Sequence, residues 1–222
     1  MHNKIVDKSN SSVKELVPNL PDFRSVNAII NGSKVWIVPY YAKDSLSELF
    51  IYDLDSSKFT IHGTKTVKEQ SEHPHSILES TIHDKVWVSY FRRGILEFDK
   101  RGNFKRKFKP FPSNKIVLFN ATLEDRTGKL WAGTTIGLVE INPMDYSYTI
   151  HTNSVQSYQG KVNNKEIKSM VFINDSIIWI GGSSGVQRFN IYTKKFNTPD
   201  IPLDLKEVES TASAVYFDDS SS

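Results

Sequence analysis

Apolar residues in this chain occur in short runs of four to seven positions, either alternating with polar residues or continuous, and turn residues separate the runs. Residues 117–150 show the pattern most clearly. It predicts four strands there, at Val117–Leu123, Leu130–Thr134, Leu138–Ile141 and Tyr146–Ile150, separated by turns at Asp125–Gly128, Thr135–Gly137 and Asn142–Asp145. Outside the N-terminal stretch, apolar residues do not recur at helical spacing, so the chain is predicted to contain almost no helix.

The same four-strand pattern recurs along the chain, and each copy contains one tryptophan. These residues are Trp36, Trp87, Trp131 and Trp179, at intervals of 51, 44 and 48 residues. A period of this length made of short strands is typical of a blade of a β-propeller. The predicted fold class is therefore all-β, with about four blades of four antiparallel strands and part of a fifth. Each tryptophan is predicted to pack between neighbouring blades.

The domain organisation follows from the repeats. We expect an N-terminal tail at 1–23, in which Val13–Leu20 could form the outer strand of a preceding blade, and propeller repeats over 24–222. The repeats are predicted at 24–63, 76–108, 116–151 and 166–197, with the next beginning at 212–219, where Val215–Asp219 matches Ala121–Asp125. Two interpretations stay open: a segment of a longer propeller or truncated reading frame, and a compact four-bladed ring with loose tails. Open strand edges would favour self-association.

Composition is compatible with such a domain. Apolar residues make up 38% and aromatic residues 12% of the chain, and the net charge is +3. There are no cysteines, so disulfides and thiolate metal sites are excluded. The polar start lacks an apolar signal core, and no run approaches the ~18 apolar residues of a membrane span. The sequence as given thus predicts neither an export signal nor a membrane span.

The third repeat carries a resemblance to a known family. Its segment LEDRTGKLWAGTTIGLVEINP resembles the two-component regulator propeller repeat. The matching residues are Asp125, Gly128, Trp131, Gly133, Thr134 and Gly137. The fourth repeat keeps Asp175, Trp179, Gly181 and Gly185, the second keeps Asp84, Trp87 and Gly94, and the first keeps Gly32 and Trp36. The first repeat departs from the family after its tryptophan, at Pro39, Tyr40 and Tyr41.

The resemblance implies a function. Proteins with such repeats are typically periplasmic sensor regions of hybrid two-component systems in gut Bacteroidetes, which detect glycan fragments and switch on polysaccharide-utilisation genes. It therefore implies a periplasmic location, an oligosaccharide ligand and a sensor dimer. These residues contain no kinase core, receiver or helix-turn-helix domain. The chain is accordingly predicted to be non-catalytic, with histidine kinase activity belonging to other domains of the full-length relative.

A ligand is predicted to bind one end of the blades. We name the strands of each repeat A to D in chain order; the B–C turns and the D–A links then open on the same face. The B–C turns at Pro39–Glu48 and Tyr90–Arg93 are enlarged and rich in rings and guanidinium groups. Aromatic faces stack on sugars, and arginine binds carboxylates or sulfates. The candidate ligand residues are Tyr40, Tyr41, Tyr90, Phe91, Arg92 and Arg93, with Tyr158 in a long D–A link.

Alternatives to a ligand site remain open at this stage. The rings could instead fill the gap between the first two blades, and the long links at Gly63–His75, Thr152–Lys165 and Asn197–Ser210 could contact a partner chain. A basic run lies on the outer hairpin of the second repeat. We interpret it as a solvated strand that protects the sheet edge rather than as a nucleic-acid-binding patch. It comprises Lys100, Arg101, Lys105, Arg106, Lys107 and Lys109.

Two groups of residues that could indicate catalysis or metal binding lack the sequence context that such sites require. Gly181, Ser183 and Gly185 have the letters of a nucleophile elbow, but that motif requires a following helix, and here a strand is predicted. His73, His75 and His83 have no converging carboxylate in the sequence. We therefore predict no catalytic residue, no metal and no cofactor. The alternatives to a sensor are a protein-interaction scaffold or oligomerisation module and a carbohydrate-active lyase.

Overall fold

In a computed structural model the described part of the chain comprises residue 17 and residues 25–40, 49–62, 74–90, 92, 94–111, 116–152, 166–182 and 185–198. These residues form sixteen β-strands and no helix. Consequently, nothing in this described portion is a helix long and apolar enough to span a membrane. The predicted all-β fold class is confirmed.

The strands form four antiparallel sheets of four, each in chain order. Sheet 1 contains β1 Ser25–Asn31, β2 Lys34–Tyr40, β3 Leu49–Asp53 and β4 Lys58–His62. Sheet 2 contains β5 Pro74–Glu79, β6 Lys85–Tyr90, β7 Gly94–Asp99 and β8 Phe104–Phe108. Sheet 3 contains β9 Phe119–Glu124, β10 Leu130–Thr134, β11 Gly137–Ile141 and β12 Tyr148–His151. Sheet 4 contains β13 Ile167–Asn174, β14 Ile177–Gly182, β15 Gly185–Asn190 and β16 Lys195–Asn197. Each sheet is one propeller blade, with strands A to D in order.

The chain divides into two compact units, unit 1 up to Leu118 with sheets 1 and 2, and unit 2 from Phe119 with sheets 3 and 4. In sheet 3 the predicted second strand has the observed bounds. The fourth strand begins at Tyr148 rather than Tyr146, because the preceding turn is longer than predicted. Tyr146 adopts a left-handed φ of 60° and donates its N–H to the carbonyl of Asn142 at 2.8 Å.

The turn between β9 and β10 shows why an aspartate and a glycine precede the tryptophan. One Asp125 oxygen accepts from Thr127 N–H at 2.8 Å and Lys129 N–H at 3.1 Å, and the other accepts from the Trp131 indole Nε1 at 2.8 Å. Gly128 has a φ of 82°, where a side chain would be strained. The carboxylate therefore closes the turn and satisfies a buried indole N–H at the same time.

The hydrogen bond from the Trp131 indole to Asp125 shows that Asp175 and Asp84, which the sequence aligned with Asp125, are not its structural equivalents. Asp125 lies six residues before its tryptophan, whereas Asp175 lies four residues before Trp179. Asp175 is instead paired with Arg126 at 2.6 Å. Asp84 is largely exposed and lies 3.7 Å from the Lys100 ammonium. The indole nitrogens of Trp36, Trp87 and Trp179 have no hydrogen-bond partner among the described residues.

In unit 1 the first tryptophan lies between the two sheets. Trp36 is fully buried, and its ring meets the edge of Phe98 on β7 with ring centroids 5.8 Å apart. The shared core contains four residues of each sheet: Trp36, Val38, Leu49 and Ile51 from sheet 1, and Val86, Val88, Tyr90 and Phe98 from sheet 2. The opposite face of sheet 1 covers Val17, which lies in a bend and is fully buried. The rest of the predicted outer strand at Val13–Leu20 lies outside the described residues.

Unit 2 repeats this packing. Trp131 is buried against sheet 4, 5.6 Å from the ring of Phe189 on β15, with Ile178 and Ile180 in the same cluster. Gly133, two residues after Trp131, must lack a side chain, because a Cβ there would lie 2.5 Å from Ile167 on β13. In both units the tryptophan of the earlier sheet is thus covered by the later one, as the repeat pattern predicts.

A lysine of sheet 4 also contacts charged and aromatic residues of sheet 3. Glu140, opposite Trp131 on β11, accepts from Lys129 at 2.7 Å, from Lys194 at 2.7 Å and from His151 at 2.9 Å. Lys194, in the β15–β16 turn, also lies 4.6 Å from the centre of the Trp131 ring. Burial alone would raise the pKa of Glu140, but the hydrogen bonds from Lys129, Lys194 and His151 outweigh it and lower the pKa from 4.5 to about 2.

Replacing Asp125 with alanine is expected to destabilise unit 2. The variant leaves a buried indole N–H and two turn N–H groups without an acceptor, which costs about 2–3 kcal/mol. Urea unfolding followed by tryptophan fluorescence measures the loss. Asp145→Ala is the control, because Asp145 accepts from one exposed turn N–H of Ser147. Equal effects of the two variants would contradict this role of Asp125.

Glu140→Gln is expected to weaken the acid dependence of stability. Since the pKa of Glu140 is lower in the folded chain, its stabilisation is complete above pH 4.5 and is lost as the pH falls towards 2. Unfolding free energies measured across that window should fall less steeply for Glu140→Gln than for the parent chain. At pH 7 the variant should lose about 1–2 kcal/mol, a modest value because Lys129 and Lys194 are partly exposed.

Candidate ligand-binding end of the sheets

The end of each sheet at which strand B turns into strand C, here called the B–C end, is where the sequence predicts a ligand. In unit 2 the B–C ends of both sheets lie side by side. Asn120, near the start of β9, donates from Nδ2 to the Ile167 carbonyl at the start of β13 at 2.8 Å. At the opposite ends Arg126 pairs with Asp175. Because one contact lies at each end, the B–C ends of sheets 3 and 4 lie on the same side of unit 2.

The B–C turn of sheet 3 is closed by its own hydrogen bonds. The Thr134 hydroxyl donates to the Gly137 carbonyl at 2.7 Å and accepts from the Ile136 N–H at 3.2 Å. Gly137 has a φ of 126°, and a Cβ there would lie 2.6 Å from the carbonyl oxygen of His151. The glycine that opens the third strand is therefore required by the adjacent outer strand, and the Thr134 hydroxyl is already engaged within the turn.

Sheet 2 has a different B–C turn. Three residues, 91–93, separate β6 from β7, one more than the two residues of the sheet 3 turn. Arg92 is exposed at this turn and makes no ion pair with any residue in the described ranges. A guanidinium group is the kind of side chain that binds anionic groups through paired hydrogen bonds.

Two of the predicted ligand residues, Tyr90 and Arg92, have described side chains, and these differ in exposure. Tyr90, the last residue of β6, is 3% exposed and belongs to the core between sheets 1 and 2. Its placement favours the packing alternative over a role on the binding surface. Of Tyr40 only the backbone position at the end of β2 is described. The side chains of Tyr40, Tyr41, Phe91, Arg93 and Tyr158 lie outside the described residues. Arg92 is thus the predicted ligand residue that the structure places at the surface.

A cleft of about 320 Å³ lies at the opposite end of unit 2, between the A–B turns of sheets 3 and 4. Its apolar lining residues are Phe172 and Ile173, and its polar lining residues are Glu124, Asp125, Arg126, Asn174 and Asp175. The volume is near the lower end for small-molecule sites. The sequence analysis did not identify this cleft, because Arg126 and Asp175 are both ordinary turn residues and are far apart in the chain.

The basic hairpin of sheet 2 is largely paired. Lys100 lies 3.2 Å from Glu79, Lys105 lies 2.9 Å from Asp99, and Arg106 lies 2.7 Å from Glu97. Glu97 also pairs with Lys85 at 2.9 Å. Internal carboxylates thus neutralise much of the run that the sequence presents as a cationic patch. Among the described residues, no three His, Asp or Glu side chains are grouped to hold a metal ion.

Comparison with solved structures finds similar folds in the extracellular domains of two bacterial proteins. The chain is similar to the extracellular domain of BT4673 from B. thetaiotaomicron, described as a one-component system in one structure and as a hybrid two-component system in another. The TM-score is 0.66 at 19% identity for both structures; the match covers 90% of this chain and 26% of the other in the first, and 89% and 25% in the second. The extracellular domain of the hybrid two-component system BT3049 from the same organism matches with a TM-score of 0.58 at 20% identity, over 81% of this chain and 24% of that one.

The fold is shared with an enzyme as well. Dihydro-heme d1 dehydrogenase NirN matches with a TM-score of 0.53 at 12% identity, over 78% of this chain and 35% of its own. No family model matches the chain, and no curated protein matches it in sequence. The chain spans about a quarter of the length of the extracellular domains that it resembles. At these identities the likeness establishes the propeller-type fold, and function has to be argued from the residues.

Tyr90→Ala is expected to destabilise unit 1 by about 3–5 kcal/mol, the usual cost of removing a large buried ring. Tyr90→Phe, which keeps the ring, should lose much less. Unfolding free energies of the two variants distinguish a packing role from a surface role. A fully stable Tyr90→Ala protein would show that the ring is dispensable to the core.

Proposed function

We propose that this chain is part of the ligand-sensing region of a two-component signalling protein and carries no catalysis of its own. The observation that carries the proposal is the likeness, over 90% of the chain, to the extracellular domain of BT4673. Its sequence-level support is the resemblance of the third repeat to the two-component regulator propeller repeat. The proposal includes a periplasmic location, because the matched domains are described as extracellular.

The proposed ligand is an oligosaccharide, with acidic sugars favoured. Arg92 supports this choice, because an exposed guanidinium group without an ion-pair partner in the described region can bind a carboxylate or sulfate through two parallel hydrogen bonds. The ring-rich turns of the first two repeats would supply stacking surfaces beside it. The ligand is thus proposed to bind the B–C end of unit 1.

A second function, assembly with another sheet or chain, is favoured by one observation. Trp179 on sheet 4 is only half-buried, whereas Trp36 and Trp131 are fully buried. A half-buried tryptophan on a sheet face is the kind of surface that another β-element covers.

The experiment is a thermal-shift screen of the chain against neutral and acidic oligosaccharides, followed by titration of any hit. A ligand that binds the folded chain raises its melting temperature. Arg92→Ala is expected to weaken the affinity for an acidic oligosaccharide about tenfold, equivalent to about 1.4 kcal/mol, and to leave the ligand-free melting temperature unchanged.

Two control variants locate the site. Arg101→Ala removes an exposed arginine from the other end of sheet 2 and should bind like the parent chain. Arg126→Ala opens the cleft of unit 2. Loss of binding in Arg126→Ala alone would move the ligand to that cleft and overturn the assignment to Arg92. A folded monomer that responds to no sugar would contradict the proposed ligand class and favour the assembly function.

A further inference from the structure

The third strand of sheet 2 begins at a glycine beside which the outer strand of the same sheet ends. Gly94 opens β7 with a φ of 86°. A Cβ at this position would overlap the carbonyl oxygen of Phe108, the last residue of β8, and would lie 3.3 Å from the Cα of Lys109. Only glycine fits there. The backbone of Lys109 therefore lies directly beside the first residue of β7.

This contact places two cations at the same end of sheet 2, and we call Arg92 and Lys109 the cation pair. Arg92 precedes Gly94 by two residues, so the two Cα atoms lie within about 7.6 Å of each other. The side chains of Arg92 and Lys109 are both exposed. Since lysine carries its ammonium group on a flexible four-carbon stem, both charged groups can contact one small ligand.

The equivalent positions of sheet 3 carry no cation. A Cβ at Gly137, which opens β11, would lie 2.6 Å from the carbonyl oxygen of His151 and 3.1 Å from the side chain of Thr152. Thr152 thus takes the place of Lys109, and the adjoining B–C turn, 135–136, contains no charged residue. Sheet 3 makes the same backbone contact without cations, so the contact does not require them in sheet 2.

The cation pair differs from the rest of the basic hairpin in its bonding. Three basic residues of the hairpin pair with carboxylates of their own sheet. Neither Arg92 nor Lys109 makes an ion pair with a residue in the described ranges. In the sequence, residues 91–93 and 109–118 contain two further basic residues and no aspartate or glutamate. The adjoining sequence thus supplies no counter-charge, and an anionic ligand complements the charge of the pair.

We propose that Arg92 and Lys109 together bind an oligosaccharide that carries two anionic groups, one at each cation. This inference rests on the proposed site for an acidic oligosaccharide at the B–C end of unit 1, and it adds Lys109 as a second binding residue. The guanidinium group binds one carboxylate or sulfate through two parallel hydrogen bonds, and the ammonium group binds the other as a point charge. A ligand with one anionic group uses the guanidinium group alone. The pair therefore selects ligands by their number of charges.

Isothermal titration calorimetry of the full chain with three matched disaccharides tests the proposal. They are digalacturonic acid with two free carboxylates, its monomethyl ester with one and its dimethyl ester with none. The parent chain should bind the diacid about fivefold more tightly than the monoester. Lys109→Ala should weaken binding of the diacid about fivefold and leave binding of the monoester nearly unchanged. Arg92→Ala should weaken binding of both acids.

Lys58→Ala is the matched control, because it removes one exposed lysine at the start of β4, at the end of sheet 1 opposite its B–C turn. It should leave the preference for the diacid unchanged. The melting temperature of Lys109→Ala should equal that of the parent chain, since the Lys109 side chain is exposed. Added salt should weaken diacid binding more steeply in the parent chain than in Lys109→Ala, because the variant has one ion pair fewer to screen.

Equal effects of Lys109→Ala and Lys58→Ala on diacid binding would overturn this inference. A loss of binding in Arg92→Ala in the same experiment would still support the proposed acidic-sugar site, so the two failures are distinguishable. A folded parent chain that binds neither acid would contradict both. Displacement of the diacid by equimolar inorganic sulfate would also overturn the inference, because the pair would then recognise a free anion and not an oligosaccharide with two charges.

Discussion

The constraint on which this structure depends is that a four-stranded sheet cannot bury its own faces. In sheets 1 and 3 the largest apolar side chain, a tryptophan on strand B, projects from the face that the second sheet of the same unit covers. Trp36 and Trp131 are buried because sheets 2 and 4 cover them. Two residues support the contact between Trp131 and sheet 4. Gly133 leaves space for Ile167, and the Lys194 ammonium lies near both the Trp131 ring and Glu140. Stability is therefore shared between consecutive repeats.

The repeats solve the same packing problem with different polar chemistry. Trp131 has an aspartate for its indole N–H, and its cross-strand neighbour Glu140 collects three cationic or imidazole partners. Trp87 has a similar neighbour in Glu97, with Lys85 5.5 Å from the indole ring, but its indole N–H has no acceptor in the described residues. In the third repeat the five-residue A–B turn, 125–129, brings Asp125 to the indole nitrogen of Trp131. The A–B turns of sheets 1 and 4 have two residues, and the five-residue turn of sheet 2, 80–84, begins with Ser80 where sheet 3 has Asp125.

Polar groups at the two ends of the sheets differ in whether they are bonded within the protein or exposed. At the B–C end of unit 2 the Thr134 hydroxyl is used inside the turn, whereas sheet 2 exposes Arg92 from a turn one residue longer. At the opposite end of unit 2 a charged cleft forms because two A–B turns meet there, joined by Arg126 and Asp175. These exposed charged groups thus lie in the turns, and the sheets hold those turns in fixed positions.

The sequence by itself determined the all-β class, the four-fold repeat and most strand positions, because side-chain alternation and turn residues are local signals that act over a few positions. It also identified Arg92 as a candidate surface group. It did not separate Tyr90 from the exposed Arg92, since whether a ring at a strand end is exposed or packs on a neighbouring sheet depends on the core that it joins, here one that includes Trp36, 54 positions earlier in the chain. Tertiary structure also decided three other features: the role of Asp125, the three partners of Glu140 and the cleft beside Arg126. In each case it brings together groups whose spacing along the chain carries no periodic signal.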